Sequence, residues 1–183
     1  MEQFGEVSTG PRARLTGGVY LVYFVTAIVG AVLVSRGLGV AGKFVEVVST
    51  VCYLVVTLLF YGLFKPVSGG LSMLAAVFSL GGCVFMFLGV FHLERRANPL
   101  MFFGPFCLVI GYLIWRSGFL PRVLGVAMVI AGVGWLVFLI PGLPVHLSMG
   151  IKAVGFLAEL SLCLWLLVRG VNVQQWRELR QGL

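Results

Sequence analysis

The stretch "GFLAELSLCLWLLVRG", residues 155–170, sets one carboxylate, Glu159, inside an apolar run that extends back to Leu147. Wound as a helix, residues 147–168 are long enough to cross the roughly 30 Å hydrocarbon core of a bilayer. Composition decides whether lipid is the solvent. The chain of 183 residues is 60% hydrophobic, 10% charged and without Asp, whereas soluble domains carry about 25% charged residues. In hydrocarbon, backbone polar groups are satisfied only within helices or a closed barrel. The apolar runs lack the alternation that barrel strands require, so the fold class expected is an all-α membrane protein.

Working outward from that segment, the hydropathy pattern predicts a single-domain bundle of six transmembrane helices with short connections, at residues 15–34, 45–64, 70–91, 100–115, 123–140 and 147–168. Turn residues separate them. In "FKPVSGG" Pro66 should push Lys65 away from helical angles, and "RANPL", "RSGFLPR" and "IPGLPVH" divide the later spans. Gly118 suits the left-handed close of the fourth helix and Pro121 the first turn of the fifth, with Arg116 and Ser117 completing the structural turn. Pro105 should leave the carbonyl of Met101 without its helical partner and bend the fourth span. No internal repeat is strong enough to suggest a duplicated transporter half.

Six spans put both termini on one side. Arg12, Arg14, Lys65, Arg116, Arg122, Arg169, Arg177 and Arg180 fall there, against Arg36, Lys43, Arg95, Arg96 and Lys152 opposite, and this excess predicts cytoplasmic termini. Trp115, Trp165 and Trp176 lie beside the larger group, as an interfacial belt would. Because the cations sit in connections rather than on one basic face, the net charge of +7 speaks for membrane orientation and against nucleic acid. The N-terminal polar stretch is expected to stay attached to the first span. The tail, residues 171–183, reads either as an amphipathic helix on the membrane surface, presenting Trp176, Leu179 and Leu183, or as disordered.

Inserting an acid at a helix centre costs about 2.5–3.5 kcal/mol, and each Leu or Phe returns about 0.3–0.6 kcal/mol. Residues 147–168 can therefore insert, but Glu159 should face the bundle interior, where it either finds donors or stays neutral. Counting to the middle of each span supplies a polar layer of Tyr23, Thr26, Tyr53, Thr57, Ser79 and Trp135. Of these, Tyr23, Tyr53, Thr57 and Ser79 join Glu159 as the candidate ligand-binding or intramembrane polar residues. Lys152, seven residues before Glu159, could reach it only through an intermediary.

Other features read as packing. The pairs Thr26 and Gly30, Ala127 and Ala131, and Gly155 and Cys163 are small-residue seams, suited to bundle packing or dimerisation. "GLGVAG" at 37–42 matches a dinucleotide fingerprint in letters only, because a membrane span precedes it and no acid follows at the required distance. Cys52, Cys83, Cys107 and Cys163 show no ligand or disulfide spacing, and His92 and His146 lack further ligands, so no metal site, cofactor or catalytic set is expected.

"LLFYGLFKPV" at 58–67, "GYLIWRSGFLPRVLGV" at 111–126 and "AELSLCLWLLVRGV" at 158–171 together resemble the bacterial membrane family described as domain of unknown function 4386, from about Leu15 onward. The resemblance implies a prokaryotic cytoplasmic (inner) membrane and no particular activity. Two functions are expected from the residues. The first is binding or passing a small lipophilic or cationic ligand near Glu159, in a pocket bounded by the second, third and sixth helices. The alternative is a structural or partner-binding subunit in which the Glu only fixes packing. Partners would be membrane lipids and a second copy or another membrane protein; an intramembrane enzyme is the weakest reading.

Overall fold

The computed structural model of the chain describes residues 9–91, 100–140 and 142–182, and every regular element among them is helical. These are α1 (Thr9–Ser35), α2 (Gly39–Phe64), α3 (Gly69–Val90), α4 (Leu100–Ser117), α5 (Arg122–Val137), α6 (Val145–Val168) and α7 (Val173–Gln181). The first six overlap the six segments expected as spans. Helices α1, α2, α3, α4 and α6 are each long and apolar enough to cross a membrane. Helix α5 has 16 residues, but its end tightens instead of stopping. The N–H groups of Phe138, Leu139 and Ile140 bond to the carbonyls of Trp135, Leu136 and Val137 at 3.3, 3.0 and 3.0 Å. At 1.5 Å per α-helical residue and about 2 Å in the tighter winding, residues 122–140 reach about 30 Å.

The helices close into a ring. Each packs on its neighbours in the chain, and α6 returns to α1. Tyr20, Tyr53, Phe60, Phe106, Ile110 and Leu162 fill the middle, none more than 2% exposed. Val22, Val25, Val29 and Val32 on α1, and Val77, Leu80, Val84 and Phe87 on α3, point outward at helical spacing. Apolar surface this continuous suits acyl chains rather than water.

Glycine sets how closely the walls approach. Gly104 and Gly111 on α4 meet Gly132 and Gly125 on α5, the two glycines of each helix being seven positions apart. A Cβ on Gly111 would lie 2.7 Å from the carbonyl oxygen of Gly125, and one on Gly132 would lie 2.8 Å from that of Gly104. Where α1 crosses α6, a Cβ on Gly17 would run into the backbone of Leu167 and the carbonyl of Cys163. The Cys163 thiol donates to the Gly17 carbonyl there at 3.3 Å.

Several connections differ from expectation. Lys65 keeps helical angles (φ −51, ψ −40) and bonds back to Tyr61. The break comes later, where Ser68 turns extended and its hydroxyl caps α3 through the Leu71 N–H. Gly118 takes φ +68 as its turn requires, while Pro121 is the residue before α5 rather than within it. Helix α4 continues through Pro105. Residues 92–99, which include His92, Arg95, Arg96 and the "RANP" part of the "RANPL" connection, lie outside the described residues.

The tail is helical over Val173–Gln181, and Trp176 and Leu179 of its apolar face pack on the bundle, while Leu183 lies outside the described residues. Asn172 caps α7 and its N–H bonds the Phe119 carbonyl at 3.1 Å. Trp176 is buried and donates its indole N–H to the Leu63 carbonyl at 2.9 Å. Trp176 therefore leaves the expected interfacial belt, while Trp115 and Trp165 stay on the outside.

Gly125→Leu should lower stability by about 1–3 kcal/mol, the usual cost of overpacking, whereas Gly62→Ala, where a Cβ meets nothing within 4 Å, should be near neutral. Thermal unfolding of both variants in detergent checks this.

Candidate functional site

Helix α6 turns Gly155, Ala158, Glu159, Leu162, Cys163 and Leu166 inward, and all six are buried. This is the ordinary i, i+3, i+4, i+7 face of a helix with one acid in it. Glu159 is 8% exposed. Tyr20 of α1 donates its hydroxyl to Oε2 at 2.7 Å, and Trp135 of α5 donates its indole N–H to Oε1 at 3.2 Å. The thiol of Cys107 on α4 stands 4.0 Å from Oε1. The donors come from the two helices that flank α6 in the ring, so the acid ties both of its neighbours.

Each donor is held in place. The Tyr20 ring stacks on Phe24 with centroids 4.9 Å apart and meets Phe60 edge-on at 5.7 Å. The indole of Trp135 lies against Gly155, one turn before the acid, where any Cβ would collide with the ring. Gly155 and Cys163, read as a small-residue seam for bundle packing or dimerisation, both pack within the chain: one seats the indole and the other bonds α1.

Beside the carboxylate is a cavity of about 300 Å³ lined by Tyr23, Tyr53, Met86, Leu100, Phe103, Trp135 and Glu159. All six spans contribute to it, so its walls are wider than the expected trio of second, third and sixth helices. Tyr23 and Tyr53 tilt against each other at 4.6 Å, and Phe103 meets Tyr53 at 5.2 Å and 90°. A carboxylate offers about four acceptor positions, more than the two strong donors fill.

The structure thus brings Glu159, Tyr23, Tyr53 and Trp135 together. Thr57 and Ser79 are elsewhere: they share a hydrogen bond of 2.5 Å between α2 and α3. Thr26 bonds the Val22 carbonyl of its own helix. Lys152 is exposed and its ammonium sits over the Phe138 ring at 5.7 Å, turned from the acid. His146 is exposed. Among the described residues no group of three His, Cys, Asp or Glu could hold a metal.

Tyr20 and Cys107 were absent from the polar layer read off the sequence. Midpoint counting placed depth by the centre of residues 15–34, but α1 starts at Thr9, which moves Tyr20 inward. Counting from the charged end does not choose between the tyrosines: Tyr20 is eight and Tyr23 eleven residues past Arg12, and Glu159 is ten before Arg169.

Gly155→Val should displace the indole from the carboxylate and destabilise the protein by about 1–3 kcal/mol, and adding Trp135→Leu should recover part of that loss by removing the ring. A size-swap series followed by thermal unfolding tests the arrangement.

Residues 98–170 match the family model described as Domain of unknown function (DUF4386). The match takes in the whole of α4, α5 and α6, with Cys107, Trp135 and Glu159, and leaves out α1 to α3, so it is narrower than the resemblance from Leu15 onward. An uncharacterized protein of Archaeoglobus fulgidus is 24% identical over 125 residues, which cover 63% of this chain and 75% of that protein. No solved structure matches. The segment that carries the buried acid and one of its two strong donors is thus the part of the chain that is similar to this family.

Proposed function

We propose that this multi-pass membrane protein binds, and in doing so can pass across the bilayer, a small lipophilic cation of the organic-ammonium class in the cavity beside Glu159. The observation that carries the reading is the combination of Tyr23, Tyr53, Phe103 and Trp135 with one carboxylate around the same space. Aromatic faces attract an ammonium group, by about 2 kcal/mol or more where water is excluded. The acid supplies the charge that holds the guest against the apolar surroundings. Among the described residues no cation already pairs with Glu159, since Lys152 lies over Phe138. A volume of about 300 Å³ suits a guest at the small end of the ligand range, which begins at about 300 Å³. We read the termini as cytoplasmic, supported by the excess of Lys and Arg at that end, and the membrane as a prokaryotic inner membrane.

A second reading, in which Glu159 serves only to lock α1, α5 and α6, draws on the hydrogen bonds that already occupy both of its oxygens. Benzyltrimethylammonium and its uncharged isostere neopentylbenzene separate the two. In lipid nanodiscs the cation should bind and the hydrocarbon should not, and Glu159→Gln should weaken cation binding by about tenfold to a hundredfold, the worth of a charge-assisted contact of about 1.5–3 kcal/mol. Equal binding of both compounds, or cation binding untouched by Glu159→Gln, would overturn the ligand reading. A variant altered only in thermal stability would leave the packing role.

A further inference from the structure

A second cavity, of about 470 Å³, lies between α1, α2 and α3 at the ends nearest the α1–α2 turn, and Ala27, Lys43, Glu46, Ser49, Thr50 and Met86 are among its lining residues. It continues the Glu159 cavity by one helical turn. On α1, Tyr23 faces the inner space and Ala27 the outer one. On α2, Glu46, Ser49 and Thr50 face the outer space and Tyr53 the inner one, a single i, i+3, i+4, i+7 face. Met86 of α3 lines both.

The outer cavity also holds a polar group with nothing to bond. Ser49 is 2% exposed, and its hydroxyl has no partner among the described residues. Hydroxyls within helices ordinarily bond the carbonyl one turn back, as Thr26, Thr50 and Thr57 do here. Ser49 therefore leaves an unsatisfied hydroxyl buried in the wall of the cavity. Met86, unbranched and with three rotatable bonds, can vacate the space between the cavities without breaking a polar contact.

We propose that the outer cavity is the access vestibule through which a small ammonium compound reaches Glu159, with the Met86 side chain as its movable partition. The class of compound rests on the reading of the inner cavity given above; the path rests on the shared wall and the common helix faces. Glu46 draws cations toward the mouth and Lys43 opposes them, so the two charges tune the rate in opposite directions.

The test uses the full chain in lipid nanodiscs with Tyr23→Cys as reporter in the inner cavity. It is labelled by cationic 2-aminoethyl methanethiosulfonate or neutral methyl methanethiosulfonate and read at residue 23 by mass spectrometry, which separates it from the native cysteines. Met86→Ala should speed labelling by about tenfold, and Ala27→Trp or, should that variant fail to fold, Thr50→Phe should slow it by a similar factor. Glu46→Gln should slow the cationic reagent alone. The vestibule is overturned if labelling ignores both Met86→Ala and the blocking variants, or responds equally to Val84→Ala on the outward face of α3. Labelling that responds as expected while benzyltrimethylammonium fails to bind would leave the path standing and remove the ligand class. The reverse outcome would remove the path alone.

Discussion

A carboxylate halfway along a helix in hydrocarbon must be given donors by its own protein, because neither lipid nor backbone can supply them. In this chain they come from Tyr20 on one side of α6 and Trp135 on the other. That requirement shapes much of the bundle. Helix α6 has to lie between α1 and α5, which is where the ring closes. Rotated outward, it would expose to acyl chains an acid whose insertion costs about 2.5–3.5 kcal/mol.

Backbone approach follows from the same demand. A hydroxyl at 2.7 Å needs α1 close to α6, and Gly17 allows it by letting the helices touch at Leu167 and Cys163. An indole fits beside α6 only because Gly155 has no side chain. The paired glycines of α4 and α5 bring those two walls together, and that contact carries Trp135 and Cys107 on adjacent helices. Large aromatic rings then fill the interior that these contacts enclose, and the space they leave uncovered beside Glu159 is the cavity. Small residues at contacts and large ones inside are a single arrangement.

Much of this was legible in the sequence. Apolar runs of about 20 residues located the helices of the bundle, Gly118 announced its turn, and Glu159 declared that one face of α6 is internal. Helix α7 was one of two readings, and the burial of Trp176 settles its apolar face against the bundle end. What stayed hidden depends on relative depth between helices. Tyr20 and Tyr23 are both tyrosines near the middle of one span, and only the crossing at Gly17 determines which of them meets the acid. Thr57 and Ser79 looked like members of the same polar layer because hydropathy gives depth but not azimuth. Lys65 kept helical angles before a proline because local preference yields to the bonds of the preceding turn.

The tie between α1 and α6 is measurable as a coupling energy. A double-mutant cycle of Tyr20→Phe and Glu159→Leu, followed by unfolding in bicelles, isolates the contact from the separate effect of each change. Strongly non-additive losses are expected, with a coupling of about 1–3 kcal/mol. Losses that add to within about 0.5 kcal/mol would mean that the hydroxyl and the carboxylate do not meet, and the acid would then have to be sheltered in some other way.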